Sequence, residues 1–229
     1  QYYELINELK KNKGSTSLNF REKMSLEAFS ETAYYDAVIS NYFNKINQNN
    51  FPKKKVVYGN LIEKLRYGEN PHQESAIYSK TTNLNIEQVH GKQLSYNNYN
   101  DIFSALTISK SLPKNTGTVI VKHANPCGAS INKNNLKSYQ LALACDPVSA
   151  FGGVVSCNFK INKSLAIELN KKFLEVVIAC GFDDESLKIL KKKKNLRLID
   201  ATKFIMEEMV KFSSANESIL AQSEDLKKF

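Results

Sequence analysis

The spacing of apolar residues changes along the chain. In the first 46 residues, Phe20, Met24, Ala28, Tyr35 and Val38 recur at helical spacing, after a KNKGS break that is typical of a helix end. We therefore predict two helices, one over roughly 2–11 and one from position 15 or 17 to 43. Residues 47–64 are polar, rich in lysine and asparagine, and contain Pro52, so we expect a linker and a domain boundary there.

Beyond Leu65, strand-like and helix-like segments alternate. The predicted strands are SAIYS, NIEQVHG, GTVIVKH, GVVSCNF, EVVIAC, LRLID and ESILAQ. The predicted helices are one through DIFSALTISKSL with Asn100 or Asp101 as its cap, one over 136–144, one over 164–173, and one through Lys193 that Asp183 or Asp184 caps. Alternation of this kind predicts an α/β layered domain with mostly parallel central strands.

Composition and charge indicate a globular protein and bear on what it binds. The chain has 229 residues, a formal net charge of +9 and 42% hydrophobic residues, which is an ordinary globular composition. The charge raises the question of nucleic-acid binding, but much of it lies in two runs with local explanations. Residues 53–55 fall in the linker, and residues 191–194 close a predicted helix, where cations favour the negative end of the helix dipole. We therefore expect small anionic substrates and no nucleic-acid partner.

Membrane and redox signals are weak in this sequence. No apolar run approaches the ~20 residues that a bilayer span requires, so we expect no membrane partner. The chain starts without an initiator methionine or an apolar signal core, and we expect it to begin inside a longer protein. The cysteines at positions 127, 145, 157 and 180 form no CxxC pair, which disfavours a zinc or redox motif. Reduced thiols in a cytoplasmic protein are the expectation.

The stretch VIVKHANPCGAS carries the most suggestive chemistry, because an apolar strand leads into Lys122 and His123. In a continuing strand their side chains would point to opposite faces, so we expect the strand to end and turn at His123. Asn125 before Pro126 is kept out of helical space, and Gly128 allows a close approach or a positive φ. An imidazole beside an ammonium, at the strand end where α/β folds bind ligands, suits proton transfer with oxyanion stabilisation. The alternative is a backbone-bonded histidine beside a solvated lysine.

Three further clusters are ambiguous by themselves. In LRYGENPHQ, Arg66 suits bidentate contact with phosphate or carboxylate and Tyr67 offers a flat face, but a surface turn is equally consistent. In GKQLSYNNYND, Asn97 and Asn98 either cap a helix or read a ligand amide. In DPVSAFGGVVSCN, Gly152 and the glycine after it either allow close approach of a ligand or make a tight turn.

Five segments together resemble one family in its own order: LRYGENPHQ, GKQLSYNNYND, VIVKHANPCGA, DPVSAFGGVV and LKILKKKKNLRL. That family is the bifunctional purine-biosynthesis enzyme AICAR transformylase/IMP cyclohydrolase. FSETAYYDAVISNYF resembles the last helices of its cyclohydrolase domain, so the resemblance covers nearly the whole chain. It implies residues 1–50 from the methylglyoxal-synthase-like cyclohydrolase domain, a linker over 51–64, and the first half of the cytidine-deaminase-like transformylase over 65–229.

The resemblance also implies a reaction and its residues. A formyl group moves from 10-formyltetrahydrofolate to the 5-amino group of AICAR, giving FAICAR, which the parent enzyme cyclises to IMP. His123 would accept the amine proton, and Lys122 would stabilise the formyl oxyanion. The AICAR-binding residues implied are Arg66, Tyr67, Asn98 (with Asn97 as the alternative), Gly152 and Glu175. The resemblance implies a cytosolic homodimer, and no metal is expected in catalysis.

Two departures from the family bear on these expectations. Cys180 stands where the family usually has proline. The cyclohydrolase lysines and phosphate loops lie upstream of residue 1 in the family, and most folate contacts lie beyond Phe229. We therefore expect no cyclohydrolase activity and little or no transformylase activity from residues 1–229 alone. Two other classes remain as alternatives, namely a non-catalytic nucleotide-binding or interaction module and a basic RNA-binding domain.

Overall fold

The computed structural model describes residues 2–206, 210–223 and 225. The chain divides into two compact units, one up to Gly59 and one from Asn60 onward. The first unit contains helices α1 (Tyr2–Lys11) and α2 (Leu18–Ile46), which confirms both predicted helices. Ser17 is the N-cap of α2, and its side chain accepts a hydrogen bond from the backbone N–H of Phe20.

The second unit is built around a six-stranded sheet whose strand order is β3-β8-β7-β6-β4-β5. The sheet strands are β3 (Glu87–His90), β4 (Gly117–Lys122), β5 (Asn125–Ile131), β6 (Val154–Cys157), β7 (Val176–Ala179) and β8 (Arg197–Asp200). Two hairpins pair β1 (Asn60–Leu65) with β2 (Ser75–Ser79) and β9 (Val210–Ala215) with β10 (Ser218–Ser223). The helices of this unit are α3 (Tyr96–Ser111), α4 (Asn135–Cys145), α5 (Lys163–Asn170) and α6 (Asp184–Leu190).

The sheet is mixed: the central strands β6, β7 and β8 are parallel, as predicted, and the other pairings are antiparallel. Strand β7 is parallel to β6 and to β8, whereas β4 is antiparallel to both β5 and β6, and β3 is antiparallel to β8. Strand β4 is antiparallel to β5 because only two residues connect the two strands. So short a connection can reverse the chain but cannot cross over to a parallel neighbour.

Two apolar clusters place helices on both faces of the sheet. Ile102 and Leu106 of α3 pack with Val119 and Val121 of β4 in one cluster. Ile120 faces the opposite way and packs with residues of α4, α5 and α6. The predicted α/β layered class is therefore confirmed, with α3 on one face and three helices on the other.

Strand β1 occupies the last part of the predicted linker, and two further elements differ from the sequence predictions for local reasons. Helix α3 begins at Tyr96, earlier than predicted, because Ser95 is its N-cap in a capping box with Asn98. Strand β5 was interpreted as a turn because it contains Asn125 and Pro126. It is the last strand of the sheet, and an edge strand tolerates a residue that has no N–H to donate.

Candidate functional site

The predicted site residues gather at the edge of the sheet where β4 ends and β6, β7 and β8 begin. Gly152 and Glu175 come just before β6 and β7, and Arg197 is the first residue of β8. Lys122 reaches the same edge because β4 runs antiparallel to β6. These residues therefore lie at the amino ends of the parallel strands and at the carboxyl end of β4, which runs antiparallel to β6.

His123 lies in a tight turn of unusual backbone conformation. Lys122 pairs with Asn125 in the β4–β5 ladder, which leaves His123 and Ala124 as a two-residue turn. Their φ angles are 53° and 58°, the sign that a type I′ turn requires at both positions. A left-handed conformation costs about 1–2 kcal/mol for each residue that is not glycine. The expected end of the strand is confirmed, and the exposed His123 is presented by a strained turn.

Helix α3 anchors this turn through Ala124. The backbone N–H of Ala124 donates to Asp101 Oδ1 across 2.6 Å, and Ser104 Oγ donates to the carbonyl oxygen of Ala124 across 2.7 Å. Burial raises the pKa of the Asp101 carboxyl, while the Ala124 N–H and nearby His123 act in the opposite direction and Glu175 adds to the rise. Our sequence reasoning considered Asp101 only as a helix cap and missed this contact.

Lys122 occupies the face of the sheet opposite α3. Its Nζ donates to the carbonyl oxygen of Phe151 across 2.8 Å, next to Gly152 in the loop before β6. Alternation along β4 places Lys122 on the same face as Ile120, the face covered by α4 to α6. Lys122 is thus tied to the glycine loop, whereas the turn that carries His123 is tied to α3.

The two glycines before β6 make a tight turn and extend the backbone pairing. Gly152 has a φ of +71°, and its N–H donates to the carbonyl oxygen of Phe173 across 2.9 Å. The carbonyl oxygen of Gly153 accepts from the N–H of Glu175 across 3.1 Å. The positive φ at Gly152 explains the glycine there, because other residues adopt that conformation with strain. This supports the tight-turn interpretation of the pair.

Asn98 connects helix α3 to the start of β7. Its Oδ1 accepts from the N–H of Ser95 across 3.1 Å, and its Nδ2 donates to Glu175 Oε2 across 3.0 Å. Asn98 therefore caps the helix and also contacts a second predicted site residue. Asn97, the alternative, points away on the surface, where its Nδ2 donates to the carbonyl oxygen of Glu69 across 3.2 Å.

Arg197 completes this group, although sequence reasoning did not single it out. Its guanidinium lies 3.8 Å from the Glu175 carboxylate, and its side chain is only 11% exposed. Burial lowers the pKa of Arg197, Glu175 opposes that shift, and the neighbouring charge of Arg66 adds to it. The signal in the sequence was the arginine at the start of the predicted strand LRLID, whose partner only the folded sheet reveals.

Arg66 and Tyr67 follow β1 in an exposed turn. The guanidinium carbon of Arg66 lies 5.5 Å from the centre of the Tyr67 ring, within the range of a cation–π contact. The N–H of Gly68 closes the turn by donating to the carbonyl oxygen of Gln73 across 2.7 Å. Within residues 2–206, 210–223 and 225, no carboxylate lies within ion-pair distance of Arg66. Arg66 and Arg197 thus give this edge positive charge suited to an anion.

The structure joins the predicted site residues into two connected groups. Asn98 and Arg197 each contact Glu175, with Arg66 in electrostatic range of Arg197. The charges of both His123 and Glu175 act on Asp101, which so links the His123 turn to that group. Two cavities of this unit, of about 200 and 280 Å³, are lined by residues outside these groups. A single pocket common to Lys122, His123 and Arg66 stays a prediction.

Across the described ranges, no group of three or more histidine, cysteine, aspartate or glutamate side chains is arranged to hold a metal ion. None of the helices in those same ranges combines the length and the apolar character that crossing a bilayer requires. The expectation of catalysis without a metal stays a prediction.

Solved structures show only slight similarity to this chain. RibD of Acinetobacter baumannii, form 1, is 16% identical with a TM-score of 0.35, over 45% of this chain and 35% of that one. The dCMP deaminase of cyanophage S-TIM5 is 11% identical with a TM-score of 0.33, over 42% of this chain and 91% of that one. These scores are too low to assign a fold, and the cytidine-deaminase-like fold stays a prediction.

Sequence relatives are much closer, and three share the name bifunctional purine biosynthesis protein PurH. The protein from Elusimicrobium minutum is 38% identical over 226 residues, which is 98% of this chain and 43% of the relative. That from Leptospira biflexa (strain Patoc 1 / Ames) is 40% identical over 227 residues, which is 98% of this chain and 44% of the relative. That from Rhizobium johnstonii is 42% identical over 206 residues, or 87% and 38%. The chain spans less than half the length of these relatives.

The match to a family model is complete for this sequence. The model for the AICARFT/IMPCHase bienzyme matches residues 1–229, which confirms the resemblance carried by the five motifs. This chain therefore belongs to the AICARFT/IMPCHase bienzyme family.

Proposed function

We propose that this chain binds AICAR and supplies the general base of a formyl transfer in purine biosynthesis. The formyl donor is 10-formyltetrahydrofolate, and the product is FAICAR. Membership of the AICARFT/IMPCHase bienzyme family supports this reaction class. The structural observation that carries the proposal is the meeting of the His123 turn, the Asn98–Glu175 pair and the two arginines at one edge of the sheet.

His123 is the base in this proposal. The amine of AICAR is conjugated with its carboxamide and is a poor nucleophile, so its attack on the formyl carbon needs removal of a proton. His123 is exposed on its turn and takes that proton as the N–C bond forms. The bond from the formyl carbon to the folate nitrogen then breaks, and that nitrogen receives the proton. A positioned base contributes about 10²–10⁴-fold to such a step.

Lys122 supplies positive charge beside the same turn. Its ammonium has three donors, and the carbonyl oxygen of Phe151 uses one of them. A further donor is thus available to the oxygen of the formyl group, which becomes negative in the tetrahedral intermediate. The Phe151 contact fixes the stem of Lys122 and limits the freedom lost when the oxyanion forms.

The cationic part of this edge suits the nucleotide. Arg66 is exposed and offers a planar fork of donors to a phosphate, with Tyr67 beside it as a flat surface. Glu175 is half-exposed and accepts hydrogen bonds, so it can bind hydroxyl or amide donors of the ligand. Gly152, beside the Lys122 contact, keeps the loop free of a side chain at that point.

Several further expectations belong to the same proposal. The first unit is assigned to the end of the cyclohydrolase domain, and the parent enzyme cyclises FAICAR to IMP as a homodimer. The bienzyme description of the family supports the cyclohydrolase part of these assignments, and the homodimer stays a prediction. The expectation that residues 1–229 alone have no cyclohydrolase activity and little or no transformylase activity also stays a prediction.

Histidine variants of a full-length enzyme that carries this sequence test the proposal. His123→Ala should lower kcat for formyl transfer by about 10²-fold or more while the Kd for AICAR changes by less than about threefold. His90→Ala is the matched control, because His90 Nε2 lies 3.2 Å from the carbonyl oxygen of Lys193, outside the proposed site. Unchanged turnover in His123→Ala, with AICAR still bound, would refute the base and favour a non-catalytic nucleotide-binding module.

A further inference from the structure

We propose that Asp101 and Ser104 are positioning residues that hold the His123–Ala124 turn in its reactive conformation. This inference rests on the proposed formyl transfer for its catalytic consequence. The structural part, that helix α3 sets the conformation of the turn, stands on contacts of its own.

The first support is that one helix binds both backbone polar groups of a single residue, Ala124. Asp101 accepts from the N–H of Ala124 and Ser104 donates to its carbonyl oxygen, across 2.6 and 2.7 Å. The two side chains are three positions apart, and residues at that spacing lie on the same face of a helix. Ala124 lies within the turn, outside the ladder pairs that Lys122 and Asn125 close. Its polar groups thus depend on α3 for partners within the protein.

The second support is that the local sequence does not favour this turn. Type I′ turns prefer Asn-Gly or Asp-Gly, since both central residues need a positive φ. This turn has histidine and alanine instead, with φ of 53° and 58°. Neither side chain relieves the left-handed conformation, so contacts from elsewhere must maintain it. Within the hairpin, Asn125 Nδ2 donates to the carbonyl oxygen of His123 across 2.8 Å, and the bonds from Asp101 and Ser104 are the contacts from outside it.

The third support concerns the role of Asp101. Burial raises the pKa of this carboxyl despite the opposing hydrogen bond and the charge of His123. Asp101 contacts Ala124 through one carboxyl oxygen, an acceptor that an asparagine at this position would also supply. Asp101 acts in this account through Ala124, without touching the substrate.

The arrangement has a consequence for the site as a whole. Asn98 lies one turn before Asp101 on α3, and it holds the Glu175 carboxylate across 3.0 Å. Two turns of a single helix thus place both the base and a predicted nucleotide contact. A shift of α3 would move the two halves of the site together.

Amide exchange on the 229-residue chain tests the structural part independently of any activity. Asp101→Ala should speed exchange of the Ala124 amide by about tenfold or more. Asp101→Asn keeps an oxygen acceptor and should leave that rate within about threefold of the wild-type rate. An exchange rate in Asp101→Ala equal to the wild-type rate would overturn the proposal.

Kinetics in a full-length enzyme carrying this sequence test the catalytic part. Asp101→Ala and Ser104→Ala should each lower kcat about tenfold or more, with KM for AICAR changed less than about threefold. Ser111→Ala is the matched control, because its exposed hydroxyl donates within α3 to the carbonyl oxygen of Ile108. Equal kcat in the control and in Ser104→Ala would overturn the role of the serine.

A rescue variant distinguishes positioning of the turn from general damage to the fold. Glycine is favoured at the second central position of a type I′ turn, so Ala124→Gly should restore most of the kcat that Asp101→Ala loses. Failure of this rescue, with a folded double variant, would overturn the proposal. If instead the wild-type enzyme transfers no formyl group, the proposed function fails, while the exchange rate of the Ala124 amide still decides whether α3 holds the turn.

Discussion

The side-chain amide of Asn98 donates a hydrogen bond to the carboxylate of Glu175 across 3.0 Å, and so joins the first turn of α3 to the residue before β7. The same amide closes the capping box of α3 through its oxygen. One buried side chain thus stabilises the helix and orients a predicted nucleotide contact. The sequence left capping and ligand reading as alternatives for this asparagine, and capping is confirmed.

Removal of the Asn98 amide should destabilise the second unit. Asn98→Ala loses both the cap and the bond to Glu175, and the free energy of unfolding should fall by about 1–3 kcal/mol. Urea denaturation measures this change. Asn97→Ala is the control, since that exposed amide makes one surface contact, to Glu69, and should cost less than about 0.5–1 kcal/mol. Equal losses in the two variants would contradict the role given to Asn98.

Arg197 should contribute to AICAR binding, although it was not among the predicted site residues. Arg197→Met removes a mostly buried positive charge beside Glu175 and leaves that carboxylate without its cation. The resulting negative field should weaken binding of an anionic nucleotide about tenfold, measured as Kd by calorimetry on a full-length enzyme carrying this sequence. Arg21→Met, a change in the first unit, should leave the Kd as it is. An unchanged Kd in Arg197→Met would exclude Arg197 from the site.

Gly128 should be intolerant of a side chain for a steric reason. A Cβ there would lie 2.0 Å from the carbonyl oxygen of Ala142 in α4, so the helix would have to move away from β5. Gly128→Ala should cost about 3 kcal/mol or more in the free energy of unfolding. Gly181→Ala, with a φ of +97° and its nearest neighbour at 3.6 Å, should cost only the strain of about 1–2 kcal/mol. A smaller loss at Gly128 than at Gly181 would contradict the close packing of α4.

The stability conferred by Asp101 should depend on pH in a defined direction. Its pKa is raised in the folded protein, chiefly by burial, so its contribution is full at acid pH and is lost as pH rises through the folded-state pKa. Asp101→Asn removes this loss of stability with rising pH, because an asparagine side chain does not ionise. The stability of the variant relative to wild type should therefore increase as pH rises from about 3 to about 7, measured by urea denaturation.

Asp146 provides a control in which stability should depend on pH in the opposite direction. Hydrogen bonds from the Ser149 side chain and backbone lower the pKa of its carboxyl, so its contribution is present at neutral pH and lost as pH falls. Asp146→Asn should therefore lose stability relative to wild type at neutral pH and approach it in acid. The same pH trend in both variants would show that the assigned directions are wrong.

Local patterns predicted most elements because their signals lie within a few residues. The helix over Tyr2–Lys11 and the buried strands β4, β6, β7 and β8 follow from apolar spacing alone. Strand β5 was not predicted, because its Asn-Pro start is typical of a turn. A proline fits there because β5 is the last strand of the sheet. The antiparallel pairings of β3, β4 and β5 were also not predicted, since they depend on which strands lie side by side.

The candidate site likewise contains residues that the local sequence predicted and residues that it did not. Lys122 and His123 stood out because adjacent basic residues are unusual at the end of an apolar strand. Asp101 and Arg197 did not stand out, because their partners Ala124 and Glu175 lie more than 20 positions away along the chain. Such partners become visible only when the sheet order is known.

The structure of a full-length enzyme carrying this sequence with AICAR bound tests the central claim most directly. The distance to measure is from the 5-amino nitrogen of AICAR to the nearer ring nitrogen of His123. We expect about 2.6–3.2 Å, or one bridging water, with Lys122 Nζ facing the space beside that amine. AICAR bound at full occupancy with its amine more than about 6 Å from both groups, beyond the reach of a hydrogen bond or one water, would contradict the account.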